Sequence, residues 1–168
     1  GHFVDTAAEA FGGVDIIVNN AGYTWDNVVQ KMSDEQFQAM LDIHLVAPFR
    51  ILRAALPHIR KAVTAEEEAG RIVQRKVVNI SSTSGVYGNI GQINYAAGKA
   101  GIVGMTKTLA KEWGRYHVNV NAVAFGLIHT RLTQPLQGEQ ASIDVGGRDI
   151  SVGVRQERHK ANDEIKAL

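Results

Sequence analysis

The segment Val77-Val78-Asn79-Ile80-Ser81, followed by a Ser- and Gly-rich stretch from Ser82 to Gly91 and by a helical pattern from Ile93 to about Tyr116, decides the fold. It predicts a strand, a loop and a long helix, and the same alternation continues in both directions. Upstream, Val14-Asp15-Ile16-Ile17-Val18 is a nearly continuous β-branched run that suits a strand of a parallel sheet covered on both faces, and Asn19-Asn20-Ala21-Gly22 ends it in a turn. Before that strand, Phe3, Val4, Ala7, Ala8 and Phe11 share one helical face, and Gly12-Gly13 stops the helix. Between the two strands Ser33 is placed as a helix N-cap, with Gln36 completing a capping box. Phe37, Met40, Leu41, His44, Leu45, Phe49, Leu52 and Leu56 then recur at three- and four-residue intervals, describing one amphipathic helix to about Pro57 or slightly beyond. Residues 60–76 read as a solvated helix end and a loop. Downstream, Val118-Asn119-Val120-Asn121-Ala122-Val123-Ala124 is a third strand. Helix–strand repeated three times implies parallel strands joined by right-handed crossovers, an α/β layered sheet.

Past Gly126 the pattern weakens. A short hairpin is expected within Gln137 to Gly153, and a polar helical tail from Arg155 to Leu168. Residues 1–168 form one partial domain, with 134–168 expected as a divergent, flexible C-terminal region.

The chain has 168 residues, with 18 basic and 17 acidic side chains, a formal net charge of +1. That balance gives no electrostatic reason to expect nucleic acid or an anionic membrane as partner. Hydrophobic residues at 45% and charged residues at 21% are globular values. The absence of cysteine excludes a disulfide scaffold, a thiolate nucleophile and a cysteine-ligated metal site. No apolar run approaches the roughly eighteen residues that span a bilayer, and a cytoplasmic location is expected.

In open parallel sheets ligands bind beyond the carboxyl ends of the strands. Asn19 to Gly22, Ser81 to Gly91 and Ala124 to Thr130 arrive there. Near the start of the helix that begins at the same edge, Tyr95 and Lys99 are four residues apart and so share a face. A cation beside the phenol is expected to lower its pKa from about 10 and open general acid–base catalysis at neutral pH. A lone Tyr-x-x-x-Lys is weak, since it also describes an exposed helix pair. Ser82 adds to it, because the loop can fold its hydroxyl next to Tyr95, where it can hydrogen-bond a carbonyl oxygen.

Asn19-Asn20-Ala21-Gly22, Ser82 thirteen residues before Tyr95, Tyr95-Ala96-Ala97-Gly98-Lys99, and Asn121-Ala122-Val123-Ala124-Phe125-Gly126 followed by Thr130 stand in the order and spacing of the short-chain dehydrogenase/reductase family. Gly88-Asn89-Ile90-Gly91-Gln92-Ile93-Asn94-Tyr95 is most similar to its 3-oxoacyl-(acyl-carrier-protein) reductase-like members. The resemblance covers about Phe3 to Thr133. It implies a Rossmann-like, doubly wound parallel sheet, here incomplete, and an oxidoreductase that interconverts a ketone or 3-oxoacyl group and an alcohol using NADP or NAD. Tyr95 would be the acid–base group, Ser82 would polarise the carbonyl, and Lys99 would lower the Tyr95 pKa and bind the nicotinamide ribose. Asn20, Ala21 and Gly22 would line the cofactor cleft, with Gly126, Ile128 and Thr130 on the nicotinamide side. A small carbonyl or alcohol substrate or an acyl thioester, and a homodimer or larger assembly, are the expected partners. A truncated, catalytically inactive homologue that assembles or binds is the alternative.

The sequence departs from the family in four places. No Gly-rich pyrophosphate turn precedes Val14, so the first two βα units are expected to be missing. The family's catalytic Asn is His44, read either as a core histidine or as a partner to the water that relays protons to Lys99. Pro-Gly after the third strand is Phe125-Gly126. The chain stops at Leu168, before the expected final helix and strand. Gly85-x-x-Gly88-x-x-Gly91 is open to two readings, a phosphate cradle or an active-site loop that needs backbone freedom.

Overall fold

The structure is a computed structural model that describes residues 1–128 and 142–151. Three parallel strands, β1 (Ile16–Asn19), β2 (Arg75–Ser82) and β3 (Val118–Phe125), lie side by side in that order. The register pairs Ile17 with Val77 and Val77 with Val120. The expected strands are therefore present, each within two residues of its predicted bounds.

Helix α1 (His2–Phe11) stops at Gly12, whose φ of 80° is the left-handed conformation glycine adopts without a Cβ clash. Helix α2 (Asp34–Leu41) starts at Ser33, which accepts from the Gln36 backbone N–H while the Gln36 side chain accepts from the Ser33 N–H, the predicted capping box. Helix α3 (Ala47–Glu68) follows, and Pro57 lies inside it rather than ending it. The charged run 60–68 is thus helix, longer than the periodicity alone predicts. Between α2 and α3, residues Asp42–Val46 form one turn of π-helix. Its effect can be read from the buried stripe Met40, His44, Pro48 and Leu52, whose members are spaced by four. In an unbroken α-helix three such steps carry the stripe roughly 120° around the axis. The wider turn takes up most of that drift.

Helix α4 (Thr83–Tyr87) and helix α5 (Ile93–Trp113) follow β2. Val4 of α1, Leu52, Ala55, Ile59 and Val63 of α3, and Trp113 of α5 bury one face of the sheet together with Val77, Val118 and Val120. On the opposite face Ile16 is 68% and Val18 57% exposed, so β1 is covered on one side by the described residues, not on both as its composition predicts. Phe3 and Phe11 of α1 are also exposed, leaving Val4 as the inward residue of that helix. The α/β class is as expected: a parallel sheet with helices, an incomplete Rossmann-like fold whose described helices stand on one side.

Along the buried face of β2 the side chains change from Val77 to Asn79 to Ser81 toward the carboxyl end, all buried. Their polar atoms are satisfied within the fold. Asn79 accepts from Asn19 Nδ2 at 2.7 Å and donates to Thr106 Oγ1 at 2.8 Å, and Ser81 donates to the Lys99 carbonyl at 2.7 Å. At the other end Arg75, 3% exposed, makes a two-pronged contact with Glu66 at 2.7 and 2.8 Å. That pair ties α3 to the start of the central strand. The expected hairpin is β4 (Ser142–Asp144) and β5 (Asp149–Ser151), and Ile150 is buried with Tyr23, Ala39 and Met40. The helical tail expected over 155–168 lies outside the described residues.

Candidate active site

The polar end of β2 meets the first turns of α5. Ser82 ends the strand and turns its hydroxyl to accept from the Ser84 N–H at 3.1 Å, capping α4. Tyr95 and Lys99 leave the same face of α5, as their spacing requires. The Lys99 ammonium, on a side chain only 5% exposed, donates to the Ile80 carbonyl at 2.6 Å and lies 5.5 Å from the centre of the Tyr95 ring. Burial lowers the Lys99 pKa to about 8.

The phenol behaves differently from the expectation. Burial raises the Tyr95 pKa above 10, a hydrogen-bonding interaction with Ser82 opposes the rise, and the negative charge of Asp26 adds to it. The net direction is upward because burial outweighs the Ser82 interaction, while Lys99 is directed at a backbone carbonyl and over the ring face instead of at the phenolic oxygen. Tyr95 is therefore a protonated phenol at neutral pH, ready as a donor.

His44 belongs to this group. Its ring stands edge-on to Tyr95, with centroids 4.9 Å apart and planes at 89°. Nε2 lies 2.7 Å from the Tyr23 carbonyl, which can only accept, so Nε2 carries the proton and Nδ1 is a bare acceptor. Nδ1 is buried without a hydrogen-bond partner. Burial first, and then the Lys99 charge, lower the His44 pKa to about 4, and the ring is neutral at physiological pH.

That depression makes a stability prediction. The unfolded chain binds the His44 proton below about 6.5 and the folded chain only below about 4, so stability falls as pH drops through that window, by up to about 3 kcal/mol. Urea denaturation at pH 4.5 and 7 is expected to show this loss in the unmodified protein and a clearly smaller one in His44→Asn.

Gly22 closes on the same ring: a Cβ there would stand 2.4 Å from His44 Cε1 and 2.9 Å from Nδ1. Gly98 packs on the same residue from α5, where a Cβ would meet His44 Cβ at 3.1 Å. Gly85 packs on the α5 backbone, while Gly88 and Gly91 hold φ of 79° and 78°. These glycines serve backbone geometry, by close approach at Gly85 and by positive φ at Gly88 and Gly91.

The structure thus gathers Ser82, Tyr95, Lys99, His44 and Gly22. Asn20 and Ala21 are exposed at the end of β1, and Gly126 and Ile128 are exposed beyond β3, at the same sheet edge. Thr130 lies outside the described residues. Sequence reading missed Asn94, which is fully buried, donates to the Trp25 and Gln36 carbonyls at 3.0 Å each, and accepts from the Tyr95 N–H at 2.8 Å. Its partners lie 58 and 69 residues away in the chain, so no local pattern marks it.

A bound nicotinamide cofactor can be tested against these residues. An orphaned buried acceptor at His44 Nδ1 and an amine beside a protonated phenol fit the nicotinamide end of a dinucleotide. Among the described residues no group of acidic, histidine or cysteine side chains suits a metal ion, and no helix is long and apolar enough to cross a membrane.

Fold and site together define a parallel α/β chain with a serine, a tyrosine and a lysine converging at the strand ends. The family model for short chain dehydrogenase matches residues 1–141, and the chain belongs to that family. It is 39% identical to a 3-oxoacyl-(acyl-carrier-protein) reductase of Thermotoga maritima over 133 residues, and 42% identical to one of Vibrio cholerae over 132, covering 79% of this chain and 50% of the relative in both cases. It is also 40% identical, over 78% of its length, to a peroxisomal hydratase-dehydrogenase-epimerase of Saccharomyces cerevisiae, of which it covers 13%. The chain spans about half the length of the bacterial relatives it matches. Among solved structures, a short chain dehydrogenase from Mycobacterium avium is 40% identical with a TM-score of 0.67, covering 78% of this chain and 42% of that one. A 4-hydroxyisoleucine dehydrogenase complexed with NADH and succinate is 28% identical with a TM-score of 0.64, covering 75% and 55%.

Proposed function

We propose that this chain carries the catalytic part of an NAD(P)-dependent oxidoreductase that interconverts a ketone, such as a 3-oxoacyl group, and the corresponding alcohol. The observation that carries the reading is the protonated Tyr95 phenol set between the Ser82 hydroxyl and the Lys99 amine at the sheet edge. A bound nicotinamide cofactor supplies or takes the hydride. Tyr95 gives its proton to the carbonyl oxygen in reduction and takes it back in oxidation. Ser82 donates to the same oxygen and fixes its direction, which is chiefly an orientation effect. Lys99, Gly22, Asn20, Ala21, Gly126 and Ile128 would hold the nicotinamide half, and the family pattern assigns Thr130 to the same role. The Lys99 ammonium, its pKa lowered to about 8, is a stronger acid than an ordinary lysine, and from its place over the ring face it serves to hold the ribose. His44 offers Nδ1 to a single small donor, a water or a sugar hydroxyl, where an amide stands in the family pattern.

Calorimetric titration of the full-length protein with NADPH and with NADH, followed by an assay on a 3-oxoacyl thioester, tests this reading. Binding of one cofactor and consumption of the thioester are expected. No binding at millimolar cofactor would replace the reading with a non-catalytic role in assembly or binding. The relatedness to bacterial 3-oxoacyl reductases supports the acyl substrate, and a homodimer or larger assembly goes with the reading. Size exclusion is expected to show at least a dimer, and a clean monomer would exclude it.

A further inference from the structure

Asp26 lies outside every motif that points to the reaction, yet the fold delivers it to the reacting end of α5. Gln92, the residue that precedes that helix, donates from Nε2 to Asp26 Oδ2 at 2.8 Å. Ser84 and Asn89 each donate to Gln92 Oε1 at 3.0 Å, which fixes the Gln92 amide in the orientation that points its nitrogen at the carboxylate. The two flanking residues of Asp26 are held as well. Asn94 binds the Trp25 carbonyl and the Tyr95 N–H with its two ends, and the Asn27 N–H donates to the Gly91 carbonyl at 2.9 Å. Asp26 thus sits on a braced loop, one hydrogen bond from a residue three positions before Tyr95.

The first turn of a helix presents uncompensated N–H groups and a partial positive charge, an environment that attracts anions. Here a carboxylate of the chain itself stands at that end of α5. Ser82 from β2, Lys99 from α5 and neutral His44 from the π-turn lie against Tyr95, and the charge of Asp26 bears on its phenol from this loop. Of these, Asp26 is the acidic one.

We infer that Asp26 is a specificity-determining residue: braced by Gln92 at the start of α5, its carboxylate selects substrates whose reacting carbonyl carries no neighbouring anion, such as esters and thioesters, over free oxo acids. The inference rests on the proposed oxidoreductase reading and deepens it. The upward push of Asp26 on the Tyr95 pKa agrees with it.

The test compares the full-length protein with Asp26→Asn, which keeps an oxygen to accept from Gln92 and removes the charge. Kinetics with ethyl acetoacetate and with acetoacetate are expected to show that the variant shifts the ratio of kcat/KM values toward the free acid by about fivefold, the size of one partly screened charge. An unchanged ratio would overturn the inference. Independently of turnover, the Tyr95 resonance of ring-labelled protein, assigned with Tyr95→Phe, is expected to titrate at lower pH in the variant, and an unmoved midpoint would also count against it. Should Asp26→Asn fail to fold, the unmodified protein answers through salt: 0.5 M NaCl is expected to narrow the preference for the ester, and a constant preference overturns the inference. If neither compound is turned over, the oxidoreductase reading falls, and the Tyr95 titration still decides whether Asp26 acts on the site.

Discussion

Replacing Tyr95 by phenylalanine is expected to lower kcat by about 10²–10⁴-fold while leaving NAD(P)H affinity within a small factor of the original. The ring keeps its packing against His44 and beneath Lys99, so the variant loses one hydroxyl and little else. Half-buried surroundings hold that phenol protonated at neutral pH, and phenylalanine has no proton to give. Cofactor affinity measured by fluorescence titration, alongside steady-state kinetics on a 3-oxoacyl thioester, separates the two effects. Unchanged turnover would remove Tyr95 from the acid–base role. The pH profile carries the same information: the donor is present below its raised pKa and lost above it, so reduction is expected to hold through neutral pH and to decline only on the alkaline side.

Gly85→Ala is expected to be the most damaging small substitution in the described chain. A Cβ at that position would stand 2.7 Å from the Lys99 carbonyl carbon, 2.7 Å from Lys99 Cβ and 2.8 Å from the Ala100 nitrogen. Two of those atoms are backbone in the second turn of α5 and cannot rotate away. Relief requires α4 to separate from α5, which costs about 1–3 kcal/mol and displaces Lys99 from beneath Tyr95. Urea denaturation reports the first effect and kcat the second. Gly104→Ala is the matched comparison, since nothing lies within 4 Å of its added Cβ. There, exchange of glycine for alanine in a helix is expected to raise stability by about 0.5–1 kcal/mol. If both variants behave alike, close packing is not what Gly85 provides.

The parts of this molecule legible in the sequence are those written in local periodicity. The β-branched runs ending at Val18 and Ser81, the Ser33–Gln36 capping box and the Gly12 stop each depend on residues a few positions apart, and each is found where the pattern puts it. Tyr95 and Lys99 share a face for the same reason. What the pattern does not contain is the target of a long side chain. That Lys99 reaches the Ile80 carbonyl, and that burial keeps Tyr95 protonated, depends on how α5 sits over β2. Asn94 and Asp26 escape notice because their partners come from distant segments. The exposed faces of β1 and α1 are not written in the local pattern for a related reason, since a β-branched run records the burial it is suited to and not which neighbours cover it.

The wide turn at Asp42–Val46 bears on how this segment can change in length. It contains one residue more per turn than the α-helix around it, so deleting a residue there would restore regular hydrogen bonding and at the same time rotate everything beyond by roughly 100°. Met40 would still face the hairpin, but Leu52, Ala55 and Ile59 would swing off the sheet. The two ends of the helical segment answer to different neighbours, and the extra residue reconciles them. A shortened relative in this region is therefore expected to lose either its core or the inward placement of His44, which makes the turn intolerant of deletion even though its local backbone would be relaxed by one.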